Sequence, residues 1–182
     1  AASLCMYTGK PQRALDYAKA GAALEHDERF EPFEIWWSRM FDLSTHVGVG
    51  EPDRALEIAT AMTTEPDPVR VWGLVQKLYV LRSAGQTAEA MDIADETLAA
   101  AKALGNPFLI ASCFAGYGRA FAETDPKRAQ AAWYEGLDYS RQHRMWLWET
   151  VMARDFAGLE AEHGDIDTAL ELAQTSIDSS IR

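Results

Sequence analysis

The residues able to do chemistry are few, and their spacing serves it badly. Two polar clusters stand out, His26-Asp27-Glu28 and His163-Gly164-Asp165-Ile166-Asp167. The first holds the parts of a general base with an orienting carboxylate, but three consecutive side chains diverge instead of meeting at one proton. It reads as a solvated loop between helices. The second sets carboxylates at alternate positions, as a cation loop does, yet it lacks the later bidentate Glu of a calcium site. Asp165 is expected to cap a helix instead. None of the four histidines (His26, His46, His143, His163) stands three to five residues from another His or a Cys, so zinc-ligand spacing is missing. There is no GxxxxGK[ST] phosphate loop, no GxGxxG and no GxSxG elbow. These residues predict no catalytic group, no metal and no cofactor. An all-α enzyme built on scattered carboxylates is the weakest alternative, because no acid–base pair is spaced for it.

Composition narrows the partners. Seventeen Lys and Arg against 28 Asp and Glu leave a net charge of -11, which speaks against direct nucleic-acid binding, since phosphates need clustered cations. An apolar share of 48% over 182 residues suffices for a core. Cys5 and Cys113 lie in apolar stretches and read as buried free thiols in a reducing interior. No apolar run reaches the ~20 residues of a membrane span. The opening AASLCMYTGK lacks the basic start and apolar run of a signal peptide. The expected location is cytoplasmic, with no membrane contact.

The elements that position these residues announce themselves through an internal echo. Ala14, Ala55, Ala90, Ala129 and Ala169 recur at spacings of 41, 35, 39 and 40 residues. Four of them sit five residues after a glycine (Gly9, Gly50, Gly85, Gly164), with Thr124 at the odd position. Four continue as Ala-x-x-x-Ala, in ALDYA, ALEIA, AMDIA and ALELA. A period in this range belongs to stacked helical hairpins. Asn106-Pro107, Asp125-Pro126 and Asp67-Pro68 each place a capping side chain before a Pro, which suits a helix start.

Apolar residues at three- and four-residue steps then mark the helices. From Pro107 the stripe is Ile110, Cys113, Phe114, Tyr117, Ala120 and Phe121, with Gly116 and Gly118 leaving room for a neighbouring backbone; Ala129, Trp133 and Leu137 follow. Residues about 68–84 carry Trp72, Val75, Leu78 and Tyr79, and about 87–104 carry Met91, Ala94, Leu98 and Ala101. Trp148, Val151, Met152, Phe156 and Leu159 form another stripe, and Ile166, Ala169, Leu170, Ala173 and Ile177 the last. Earlier helices fall near 11–24, 31–46 (Phe33, Trp36, Trp37, Met40, Phe41) and 52–63, with a stub at 1–8. The prediction is all-α: a right-handed superhelix of antiparallel hairpins, one domain over 1–182. The recurrent Ala lets two helix axes approach closely, so Ala129→Leu or Ala169→Leu should cost about 1–3 kcal/mol in a melting experiment.

FAGYGRAF (Phe114 to Phe121), followed by DPKRAQAAW (Asp125 to Trp133), resembles the tetratricopeptide repeat in a longer-period form. The stretch from Gly105 to Arg141 also looks like the C-terminal helical region of large actinobacterial regulators of the LuxR/MalT-like or cyclase-linked ATPase type. That resemblance implies a non-catalytic interaction or sensor segment of a larger signalling or transcriptional regulator. Its partner would be a protein, a peptide or other domains of the same chain, with a small-ligand sensor pocket as the alternative. The ends support the same expectation: the first residues read as the end of a helix, and the last helix has no cap after it. A piece of a longer multidomain chain, able to self-associate through open terminal repeats, is therefore expected. In such arrays the first helix of each hairpin lines the concave face. The candidate interaction surface is thus Trp36, Trp37, Trp72, Tyr79, Tyr117, Trp146 and Trp148. Core packing and an aromatic groove both account for these residues.

Overall fold

The computed structural model describes Cys5, residues 8–24, 27, 29, 30 and 32–181. His26, Glu28, the side chain of Phe33 and, apart from Cys5 and Thr8, the stub at 1–8 lie outside the described residues. Among those described there are nine helices and no strand. The chain divides into two compact units, Ala1–Gly85 and Gln86–Arg182.

The first unit contains α1 (Pro11–Ala22), α2 (Pro32–Gly48), α3 (Pro52–Met62) and α4 (Val69–Ser83). Each packs on the next, and α2 also touches α4. Pro opens the first three, where its missing amide is no loss. Gly9 and Gly50 precede α1 and α3 with φ of 69° and 81°, the left-handed region that a glycine enters without cost. The repeated alanines face inward as expected: Ala14, Ala55 and Ala59 are fully buried. Ala55 and Ala59 join Leu43 and Val80 in the core of this unit. Gly73 lets α4 approach the backbone at the end of α3, since a methyl group there would lie 2.8 Å from the Met62 carbonyl carbon and the Thr63 nitrogen. One predicted start is corrected. Asp67-Pro68 is a cis peptide and α4 begins at Val69. The Asp67 carboxylate accepts from Arg70 Nε at 3.0 Å instead of capping the helix.

The second unit contains α5 (Thr87–Leu104), α6 (Pro107–Phe121), α7 (Pro126–Gln142), α8 (Trp146–His163) and α9 (Ile166–Ser180). Each packs on the next, and α6 also meets α8. The three predicted caps in this unit form. Asn106 accepts from the amides of Phe108 and Leu109 at 3.0 and 3.2 Å, Asp125 from Arg128 at 3.1 Å and Asp165 from Asp167 at 3.0 Å. Partners along α7 and α8 run in opposite directions: Gln130 meets Glu160, Trp133 meets Phe156 and Arg141 meets Glu149. The two helices are therefore antiparallel, as their short connection requires.

Ala129 is fully buried and Ala169 nearly so, which places the repeated small residue at the helix crossings. Gly118 admits a side chain, not a backbone: a methyl group there would lie 2.2 Å from Trp133 Nε1. Helix α6 is buried all round from Leu109 to Gly118, which is wider than the single stripe read from its spacing. The stripe predicted for α9 is corrected. Ala169, Leu172 and Ser179 turn inward, while Ile166, Leu170 and Ile177 stay exposed, because α9 has apolar residues on two faces and α8 covers one.

Two buried threonines bond within their own helices. Thr45 and Thr97 donate to the carbonyls four residues back at 2.7 Å each. Cys113 is free and fully buried, and burial pushes its thiol up to about 12, the opposite of a reactive thiol. Cys5 is half-buried, more accessible than its apolar surroundings suggested. Among the described residues no helix is long and apolar enough to cross a membrane.

Candidate functional site

The helices read as first helices touch each other in both units, α2 with α4 and α6 with α8. They are the scaffold for the predicted aromatic surface. In the first unit it forms a cluster. Trp36 and Trp37 lie 4.7 Å apart between ring centroids, and Trp72 lies 4.8 Å from the first and 6.2 Å from the second. Phe41, one turn beyond Trp37, stacks on it at 5.7 Å. Burial separates the roles. Trp36 and Trp72 are core, Trp37 is half-buried, and Phe41 is 43% exposed. The ~100° between adjacent helical residues turns Trp36 inward and leaves Trp37 at the edge. A rigid aromatic ledge results, anchored in the core and open along one side. Tyr79 is half-buried on α4, two turns after Trp72.

Between α1 and α2, on another face of α2, is a cavity of about 210 Å³, lined among others by Gly21, Leu24, Phe30, Ile35, Ser38 and Arg39. Its walls are mainly apolar, with the Arg39 guanidinium held by Glu65 at 3.1 Å. A third feature had no conspicuous sequence signal. His46 is buried with Nε2 3.2 Å from Asp42 and Nδ1 2.7 Å from Glu51. Only the Asp42–His46 spacing of four residues pointed to it. Because both ring nitrogens are engaged by carboxylates, neither is open to a substrate, and the trio fastens the end of α2 to the start of α3.

In the second unit the predicted residues take different partners. Tyr117 is buried and belongs to a bolt across three helices. Its hydroxyl donates to Asp95 at 2.7 Å and accepts from Arg128 Nε at 2.8 Å. Arg128 also grips Asp95 through Nη2 at 2.6 and 2.7 Å, with its guanidinium 4.0 Å from the Phe121 centroid. The Arg128 hydrogen bond, then that of Tyr117, holds the Asp95 carboxyl below the usual carboxylate range. Burial first, then Asp95, pushes the Tyr117 hydroxyl up. A depressed carboxylate adds stability above its unfolded value near 3.9 and loses it as pH falls through the folded value. The stability gap between parent and Asp95→Asn should therefore be roughly 1 kcal/mol or less at neutral pH and close below about pH 4. Urea titrations at both pH values check this.

Trp148 is half-buried and meets Phe108 edge-on at 5.3 Å. Trp146 lines a polar cavity of about 350 Å³ with Arg141, Glu149, Thr175, Asp178 and Ser179. Glu149 is buried there, accepting from Arg141 Nε and Ser179 Oγ at 2.7 Å each. Nearly two turns further along α8, Arg119 of α6 donates to Asp155 at 2.5 Å, and Arg154 reaches the other oxygen of that carboxylate. None of these polar couplings follows from a helical spacing, so sequence patterning missed them.

Helical hairpins with a small residue at each crossing and aromatic first helices define an all-α, tetratricopeptide-like repeat fold. Solved structures that share it include the following two. A Rap protein crystallised in complex with Competence and Sporulation Factor superposes with a TM-score of 0.81 at 16% identity, over 99% of this chain and 52% of that one. Nearly identical TPR-like repeats of a kinesin light chain from Podosopora anserina superpose with a TM-score of 0.58 at 15% identity, over 98% and 91%. The chain thus spans about half the length of the Rap chain. No family model and no curated protein matches the sequence.

Proposed function

We propose that this chain is a non-catalytic interaction segment that holds a protein or peptide against its first helices, within a larger cytoplasmic regulator. The observation that carries the reading is the ledge of Trp36, Trp37, Phe41 and Trp72. Its inner rings are fixed by burial while Trp37 and Phe41 keep accessible faces. Rigid aromatic anchors of this kind concentrate binding energy at interfaces. The Rap structure lends support, since that protein, which shares this fold over about half its length, was crystallised in complex with a factor. Coupling to the rest of a regulator follows if the ligand binds one arrangement of the helices better than another and shifts the population toward it. The regulator context, whether of the LuxR/MalT-like or the cyclase-linked ATPase type, rests on the resemblance of Gly105 to Arg141.

The test is selection of binding peptides from a displayed random library on the intact chain. Trp37→Ala and Phe41→Ala should each weaken the selected peptides by about tenfold or more. Phe41→Ala should move melting less than Trp37→Ala, whose ring also packs on Trp36 and Trp72. Unchanged affinity in both variants would remove the ledge from the site. A small apolar ligand is the second reading, favoured by the 210 Å³ cavity at Leu24, Phe30 and Ile35. A fragment screen that raises the melting temperature of the parent but not of Ile35→Asp would select it.

A further inference from the structure

The cavity between α1 and α2 carries charge that its apolar walls do not call for. At about 210 Å³ it exceeds the ~150 Å³ void that takes up a benzene ring, so one ring with a short tail fits. Leu24, Phe30 and Ile35 supply the apolar part. The polar part belongs to one side of α2. Glu34, Ser38 and Asp42 follow at steps of four residues and line the same cavity, so they form a row about 12 Å long. Glu34 is exposed at one end, and Asp42 closes the other at 8% exposure. Asp42 Oδ1 is taken by His46 Nε2 at 3.2 Å, which leaves Oδ2 for a ligand.

Cations for these carboxylates are scarce. The Arg39 guanidinium on the wall is held by Glu65 at 3.1 Å. Even with His46 counted as an imidazolium, it and Arg39 stand against four carboxylates, those of Glu34, Asp42, Glu51 and Glu65. The sequence that joins α1 to α2 adds Glu25, Asp27, Glu28 and Glu31 against His26 and Arg29, and Arg29 is itself paired with Asp27 at 2.8 Å. The end of α1 and the start of α2 meet here with opposed dipoles, so the side chains decide the sign. An anion would enter against this field, and a neutral apolar ligand would leave the Asp42 carboxylate without a donor. A metal ion is a poor match, because among the described residues no three His, Cys, Asp or Glu converge. We propose that this cavity binds a small organic cation, an aryl- or alkylammonium. Its apolar body would lie among Leu24, Phe30 and Ile35 while its ammonium donates to Asp42 and Ser38. This ligand class presupposes that the cavity is a small-ligand site, the second reading of the proposed function, and gives that ligand a charge.

The probes are phenethylammonium, the neutral phenethyl alcohol and the anion phenylacetate, each titrated into the intact chain and followed by amide NMR shifts. The ammonium should bind saturably at about 1 mM or tighter, ordinary for its nine heavy atoms. Shifts should concentrate at Ile35, Ser38 and Asp42. The alcohol should bind about tenfold weaker, and phenylacetate weaker still. Asp42→Asn should weaken the ammonium about tenfold and leave the alcohol unchanged, which shows the cavity intact. Asp42 also holds His46, so Glu34→Gln at the rim is the second variant, expected to cost the ammonium about two- to threefold. Where Asp42→Asn loses the alcohol as well, Glu34→Gln decides alone. Trp37→Ala should leave the ammonium affinity unchanged, which separates this cavity from the aromatic ledge. Equal affinity for ammonium and alcohol overturns the cationic ligand and leaves the apolar one standing. No binding of either up to about 10 mM overturns both. Tighter binding of phenylacetate, or an ammonium affinity indifferent to both carboxylate variants, also overturns the proposal.

Discussion

Gly118→Ala is expected to destabilise the chain by about 2 kcal/mol, although alanine is the better helix former. The added methyl group would lie 2.2, 2.3 and 2.6 Å from Nε1, Cε2 and Cδ1 of Trp133. That ring cannot yield. It is almost fully buried and packs on Phe156 at 5.7 Å between centroids. Overpacking of this kind costs about 1–3 kcal/mol or more, against roughly 1 kcal/mol gained in helix propensity. A double-mutant cycle in urea separates the two effects. In a Trp133→Leu background the clash is gone and only the propensity gain remains, so Gly118→Ala should turn neutral or stabilising. An equal loss in both backgrounds would place the cause elsewhere.

Glu149→Ala is the second large effect, expected at about 2–3 kcal/mol. The buried carboxylate gathers Arg141 from α7 and Ser179 from α9 onto α8. Removing it leaves the Ser179 hydroxyl buried without its acceptor, a loss of about 1–3 kcal/mol. Arg141 is half-exposed and regains water, which keeps the total below the 3–5 kcal/mol typical of breaking a fully buried pair. Glu149→Gln retains an acceptor oxygen and should lose less than half as much. Hydrogen exchange gives the sharper readout. Amides of α9 should lose protection first in Glu149→Ala, because the hairpin of α8 and α9 loses its polar tie while the core of α6 and α7 stays intact. Uniform loss across the second unit would contradict that assignment.

Aromatic residues show where sequence reading reached its limit. Trp36 and Trp37 are adjacent and chemically identical, yet one is core and the other forms the edge of the ledge. Helical geometry sets the angle between them, but only the position of α4, which brings Trp72 to 4.8 Å from Trp36, says which is which. Tyr117 looked equivalent to them in sequence. Its hydroxyl is instead engaged by Asp95 and Arg128, residues 22 positions before it and 11 after it. No periodicity couples such positions. The apolar stripe of α9 was drawn through the right kinds of residue, but both of its faces are apolar, and pattern alone cannot choose between them.

What the sequence determined by itself is local. Helices, their starts at Asn106, Asp125 and Asp165, and the buried alanine at each crossing all follow from forces acting within a turn or two of chain. Those forces repeat at every period, so the hairpin array was readable throughout. Tertiary structure alone decided which faces pair. It joined Glu149 to Arg141 and Ser179, passed Trp133 over Gly118, set His46 between two carboxylates, and left Leu170 and Ile177 outside. Such contacts depend on how far one helix slides and turns against another. That register is settled by the summed packing of whole helix surfaces, and no local spacing carries it.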